Sequence, residues 1–224
     1  MQSKLADIAE ALTAEGGFSG GPKNAFEKVG RHTFVTLLQQ GMRPDSLVLD
    51  YGCGVMRLGY WIMRFLDRGG YHGIEPNEEY LAAGKRIVIG SELLAQKAPG
   101  FSSDPNFNLA VFNKKFDFIV ARSIFTHFTP AAIEKVLASV PASLSATGVF
   151  IASYWPSDTA KPHAARKPPL VLGEKLFNEP AAAGINVAYD ESTLITIAER
   201  QGLRAEPFKQ PVCHGQPWMK FTLA

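Results

Sequence analysis

Leu47 to Gly54 reads Leu-Val-Leu-Asp-Tyr-Gly-Cys-Gly, and one helix-length further on the chain reads Tyr71-His72-Gly73-Ile74-Glu75-Pro76. Each segment is a short apolar run with a carboxylate at or near its end. The first passes from Asp50 into a turn with glycine at positions 52 and 54, Cys53 between them. In a βαβ unit two such strand tips lie side by side at the carboxyl edge of the sheet, where open α/β folds bind ligands. A glycine turn lets backbone approach a ligand closely. A carboxylate on the neighbouring strand, here Glu75, accepts hydrogen bonds from both hydroxyls of a ribose. The alternative for Glu75 is a solvated carboxylate at a helix N-terminus, and for Asn77 the same choice stands between ribose edge and helix initiation. The pair describes a pocket shaped for a nucleoside.

A dinucleotide site needs Gly-x-Gly-x-x-Gly, so that a pyrophosphate can sit at the helix N-terminus. Counting from Gly52, the third position of that pattern is Arg57, and the next glycine is Gly59. Asp50 before the turn also repels a pyrophosphate. An acid beside the glycine turn suits a cationic ligand, such as the ammonium and sulfonium of S-adenosylmethionine.

At these residues the chain resembles the class I S-adenosylmethionine-dependent methyltransferases, whose first motif is an apolar strand, an acid and Gly-x-Gly-x-Gly. Asp50, Gly52 and Gly54 match, and Met56 replaces the third glycine. The run Gly52-Cys53-Gly54-Val55-Met56-Arg57-Leu58-Gly59 looks like a bacterial subgroup reading Gly-Cys-Gly-x-Leu-Arg-x-Gly. The resemblance covers residues 24 to 154 and extends more weakly to the C-terminus. It implies an α/β fold: a Rossmann-like, doubly wound, mostly parallel seven-stranded sheet with a C-terminal antiparallel strand. It also implies S-adenosylmethionine as cofactor, with Asp50, Gly52, Cys53, Gly54 and Glu75 around it.

The fourth strand, Phe116 to Ala121, ends in Arg122-Ser123-Ile124-Phe125-Thr126-His127-Phe128. In the resembling enzymes this tip runs under the methionine part of the cofactor, which makes Arg122 and Ser123 candidate cofactor contacts. His127 is the titratable group suited to proton removal near neutral pH, or else a residue that orients the loop. Arg57 either binds an acidic group of the acceptor or caps the turn, and Trp155 opens the segment expected to meet the acceptor. Arg31 and His32 either close over the cofactor or lie on an exposed helix face. His163, Arg166, Lys167 and Lys175 either select an anionic substrate or are solvated. The stretch Phe101 to Asn113 names no adenine contact.

The elements that must position these residues follow from periodicity. Residues 3 to 14 repeat at helical spacing (Leu5, Ile8, Ala9, Leu12) and stop at Gly16-Gly17, with a hinge to Pro22. Asn24 with Glu27 has the form of a capping box opening a helix that ends at Gly41. Leu58, Trp61, Ile62, Phe65 and Leu66 mark the helix after the first strand, and residues 77 to 96 read as a helix broken at Gly90. A poor third strand is expected within 101 to 113, and a helix from Ile133 to Val140 disturbed at Pro141. Gly148 to Tyr154 reads as a fifth strand. Asp190 caps a helix reaching Gln201. Arg204 to Gln210 and Trp218 to Leu223 read as an antiparallel pair. One domain is expected over 1–224, with residues 1–40 as an N-terminal helical lid and 155–188 as a substrate-loop insertion.

The 224 residues carry a formal net charge of +2, which leaves no polyanion-binding footprint and disfavours a nucleic-acid partner. Cys53 and Cys213 make no disulfide framework, and a reducing cytoplasm fits them best. They also lack zinc-ligand spacing, so no metal is expected. No apolar run reaches membrane-spanning length and no signal-peptide core follows Met1. The reading is a cytoplasmic methyltransferase, monomer or homodimer, acting on an oxygen or nitrogen of a small-molecule acceptor. The alternatives are a catalytically silent S-adenosylmethionine-binding partner protein and an NAD(P)-dependent oxidoreductase.

Overall fold

The strand Val48–Tyr51 (β1) is buried along its whole length, and so is Tyr71–Ile74 (β2) beside it. Strands covered on both faces have to read as near-continuous apolar runs, which is how these two were legible. They pair in parallel with Asp50 opposite Gly73 and Tyr51 opposite Ile74. The computed structural model describes residues 4–17, 23–158, 163–166, 186–213 and 215–224. The chain groups into two compact units, Met1–Ser103 and Asp104–Ala224. The seven-stranded sheet runs in the order Gly100–Ser102 (β3), β2, β1, Phe116–Ala121 (β4), Leu144–Ser153 (β5), Gln216–Leu223 (β10) and Leu203–Cys213 (β9). Its β10 lies antiparallel to the neighbours on either side, as expected of the C-terminal strand.

In the first unit, Lys4–Ala14 (α1) buries Leu5, Ile8, Ala9 and Leu12 as its spacing requires. The capping box at Asn24 and Glu27 does not form. A 3-10 turn over Lys23–Ala25 absorbs Asn24, so Phe26–Gln39 (α2) begins after Ala25, with no side-chain cap. Gly59–Phe65 (α3) links β1 to β2. The helical stretch after β2 has three parts: Glu78–Ala83 (α4), a π-helical turn over Gly84–Ile89, and Ser91–Lys97 (α5) beyond Gly90, whose φ is 84°. The break at Gly90 was expected. The π turn opens at Gly84, which packs on the backbone of Val55: a Cβ there would stand 2.8 Å from the Val55 carbonyl carbon. Gly100–Ser102 (β3) is the poor third strand, three residues paired in parallel with β2.

In the second unit, Phe116–Ala121 (β4) pairs in parallel with Leu144–Ser153 (β5). The latter starts four positions before Gly148, because the register shifts between Phe116 and Phe118 and lets the strand continue past the irregularity. Gly148 fits there since a Cβ would lie 2.7 Å from the Phe116 carbonyl oxygen. Pro130–Ser143 (α6) is capped by Thr129 and runs through Pro141 without ending. The hydrogen bond that Pro141 cannot make falls in the last turn, where its loss matters least. Phe125, Phe150 and Phe221 build the core, with ring centroids 5.4 to 6.0 Å apart.

The segment expected as a loop carries strands of its own. Trp155–Pro156 (β6), His163–Arg166 (β7) and Asn186–Tyr189 (β8) form a small sheet in the order β6-β8-β7. His163 and Arg166 sit on β7, and Lys167 and Lys175 lie outside the described residues. Glu191–Arg200 (α7) follows, capped by Asp190, whose Oδ1 accepts from the Thr193 amide at 2.7 Å. Leu203–Cys213 (β9) and Gln216–Leu223 (β10) close the chain as the expected antiparallel hairpin.

Candidate functional site

The glycine turn after β1 folds back over the end of β2. The Ile74 carbonyl accepts from the amides of Gly52 at 3.0 Å and Cys53 at 2.9 Å. This double bond to one acceptor holds Gly52 at φ 78° and Gly54 at φ 53°, conformations that favour glycine. The Gly54 amide then donates to Oε2 of Glu75 at 2.9 Å. The other carboxylate oxygen, Oε1, accepts from the Asn77 amide at 2.9 Å. The N-cap role falls to Asn77, whose Oδ1 accepts from the amides of Glu79 and Tyr80. Glu75 therefore clamps the glycine turn to the head of α4. Burial pushes its carboxyl up, against the two amide bonds that favour its charge. A carboxylate oxygen has a second lone pair, so each can still accept from a hydroxyl.

Asp50 stands behind the turn rather than open to solvent, at 3% exposure. The Tyr71 hydroxyl donates to its Oδ2 at 2.8 Å. Burial pushes the Asp50 carboxyl up to about 7, with the Tyr71 hydrogen bond and the charge of Arg57 opposing that rise. Cys53 is buried beside them, and burial together with the Asp50 and Glu75 charges pushes its thiol well up, so no reactive thiolate forms. Gly73 makes room for Cys53: a Cβ there would lie 2.9 Å from Sγ. The motif spacing gave no sign of Tyr71 or Gly73; both follow from the β1–β2 register.

Met56, in place of the third glycine, keeps glycine-like backbone at φ 61° and is fully buried. A non-glycine residue there costs about 1 kcal/mol. Two nearby glycines accommodate the side chain: a Cβ on Gly59 would lie 3.1 Å from Met56 Cβ, and one on Gly84 3.1 Å from Met56 Cγ. Arg57 follows at the entrance to α3, half-buried. Its carbonyl oxygen would lie 2.6 Å from a Cβ on Gly30 of α2, so α2 rests on the exit of the turn. Arg31 faces solvent, with Nη1 3.9 Å from Glu27, and His32 is half-buried on the same helix.

In the second unit the residues beyond β4 form a tight polar knot. Ser123 has φ 61° and its amide donates to Ser153 Oγ at 2.8 Å. Gln216, at the start of β10, presents its side-chain oxygen to Arg122 Nη1 and Ser123 Oγ, both at 2.9 Å, and to Ser153 Oγ at 2.8 Å. The Arg122 guanidinium lies 5.4 Å from the Trp218 ring centroid. The amide of His127 donates to the Ile124 carbonyl at 2.9 Å, and the residue is half-buried, with its chain neighbours Thr126 and Phe128 both buried. The loop is braced by β8, through Val187 N to Thr126 O at 2.7 Å and Tyr189 Oη to Phe128 O. Trp155 is half-buried on β6, with Cζ3 3.2 Å from where a Gly215 Cβ would stand. Gln216 had no sequence signal, being 94 positions from Arg122.

No group of acidic, histidine or cysteine side chains that would hold a metal ion is present among the described residues. Among them, too, no helix is long and apolar enough to cross a membrane.

No family model matches the chain. Solved structures do resemble it. The glycopeptide N-methyltransferase MtfA complexed with S-adenosylmethionine matches with a TM-score of 0.64 at 13% identity, covering 87% of this chain and 94% of that one. Magnesium protoporphyrin IX methyltransferase (ChlM) from Synechocystis, with S-adenosylmethionine bound, matches with a TM-score of 0.63 at 13% identity, over 100% and 99% of the two chains. A DhpI complex with S-adenosylhomocysteine matches with a TM-score of 0.63 at 12% identity, over 98% and 95%. At these identities the likeness is one of fold. The chain has the Rossmann-like α/β fold of class I S-adenosylmethionine-dependent methyltransferases.

Proposed function

We propose that this protein is a cytoplasmic S-adenosylmethionine-dependent methyltransferase acting on an oxygen or nitrogen of a small-molecule acceptor. The observation that carries the reading is the bond from the Gly54 amide to Glu75. It joins the ribose-type carboxylate to the glycine turn, with the turn's left-handed backbone kept even at Met56. A sulfonium supplies a methyl group already activated for displacement, so the protein's work is alignment, exclusion of water and, where the acceptor needs it, proton removal.

In this reading Glu75 accepts the ribose hydroxyls, and Gly52, Cys53 and Gly54 offer backbone at close approach. Asp50 contributes from behind the turn, ordering it through Tyr71. Arg122 and Ser123 contact the cofactor from the tip of β4. His127 is the general base, and Arg57 and Trp155 meet the acceptor. The glycopeptide and protoporphyrin named for the solved relatives support a small-molecule acceptor rather than a macromolecular one.

Ligand-dependent thermal stabilisation tests the cofactor. A ligand that binds the native state at 100 times its Kd adds about 2.7 kcal/mol of stability. S-adenosylhomocysteine is expected to raise the midpoint in a concentration-dependent way, and NADH to leave it unchanged. The reverse pattern would refute the methyltransferase reading. Turnover on hydroxylated and aminated metabolites then separates an enzyme from a silent binding protein. Replacing His127 by alanine should lower kcat and flatten its pH dependence while S-adenosylhomocysteine affinity holds.

A further inference from the structure

The side-chain oxygen of Gln216 receives three hydrogen bonds, from Arg122 Nη1, Ser123 Oγ and Ser153 Oγ. An arginine only donates, so the group facing it has to be the oxygen and not the amide nitrogen. Ser153 Oγ accepts from the Ser123 amide, which leaves its own proton directed at Gln216. The donors thus fix the orientation of the amide and the direction of each hydroxyl. Gln216 is 6% exposed, and an apolar residue would close a hairpin at lower desolvation cost. Arg122, Ser123 and Ser153 stand at the carboxyl ends of β4 and β5, the edge at which α/β sheets bind ligands. Ser123 is also held in a left-handed conformation that only a well-braced site maintains.

We propose that Gln216 is a positioning residue, which holds the Arg122 guanidinium and the left-handed backbone of Ser123 in the one arrangement that binds the cofactor. The C-terminal hairpin then serves the cofactor site without touching it. The inference rests on the reading that Arg122 and Ser123 contact S-adenosylmethionine.

The test is S-adenosylhomocysteine affinity by calorimetry on the full chain, with the thermal midpoint measured alongside. Gln216→Leu keeps the bulk and removes the acceptor, and is expected to weaken binding by about tenfold, the scale of one hydrogen bond to a charged group. Gln216→Glu keeps an acceptor oxygen for Arg122 and should hold affinity within about threefold, a rescue that general destabilisation would not produce. Arg122→Ala should also weaken binding, and adding Gln216→Leu to it should cost less than it does in the wild type, because one residue acts through the other. A lowered midpoint with unchanged affinity in Gln216→Leu overturns the proposal. So does weakened binding in Gln216→Glu, which also decides the matter if the leucine variant fails to fold. Undiminished affinity in Arg122→Ala removes the guanidinium contact on which the proposal stands. Absence of binding by the wild-type protein instead refutes the cofactor reading itself.

Discussion

Asp50 shows how the folded environment changes what a motif residue is. In the unfolded chain its carboxyl ionises near 3.8, and in the folded protein burial holds the proton up to about 7. Between those values the native state binds more protons than the unfolded one, so the stabilisation is full below pH 4 and is lost as pH rises through 7. Asp50→Asn keeps an oxygen for Tyr71 and removes the titration. The denaturant midpoint of the wild type should therefore fall relative to that of the variant between pH 4 and 7, and a pH-independent difference would refute the burial argument. Glu75 carries the complementary prediction. In Glu75→Gln the amide nitrogen cannot accept, so either the Gly54 or the Asn77 amide loses its partner. S-adenosylhomocysteine binding should weaken by about tenfold or more. Unchanged affinity by calorimetry would remove Glu75 from the ribose site.

Between elements, the most exacting fit is the seat of α2 on the turn after β1. A methyl group on Gly30 would meet the Arg57 carbonyl oxygen at 2.6 Å, and backbone gives way less readily than a side-chain tip. Gly30→Ala should lower stability by about 1 to 3 kcal/mol, as overpacking does, despite alanine's better helix propensity. A denaturant midpoint at or above wild type would mean that α2 can lift off the turn. Most elements could be read from the sequence, because β1, β2 and β4 are apolar runs, α3 and α6 repeat at helical spacing, and α7 opens on the cap at Asp190. What escaped depends on contacts between distant residues. The need for glycine at position 84 comes from Val55, whose backbone leaves no room for a Cβ. The brace on Arg122 comes from Gln216, and the partner of Asp50 from the register that sets Tyr71 near it. Glu75 and the glycine turn were legible for the opposite reason, since their spacing in one βαβ unit already places them together.

Over the molecule as a whole, the charge distribution bears on which class of acceptor the enzyme can serve. The net charge is +2, and several cations are paired locally with acids: Lys23 with Glu10, Arg43 with Asp45, Arg86 with Glu15 and Lys220 with Glu206. Each pair is worth little in stability, but each also places a negative charge beside a positive one and weakens any continuous basic stripe. Nucleic-acid enzymes draw most of their affinity from such stripes, with a log–log salt slope of about −0.9 for every phosphate neutralised. Titrating a labelled duplex at a series of salt concentrations should give no binding at about 0.15 M salt, and a slope shallower than about −2 where binding can be followed at lower salt. A slope of about −6 or steeper would mean a basic face engaging many phosphates. The acceptor would then be sought among nucleic acids, while Glu75 and the glycine turn would still serve the same methyl donor.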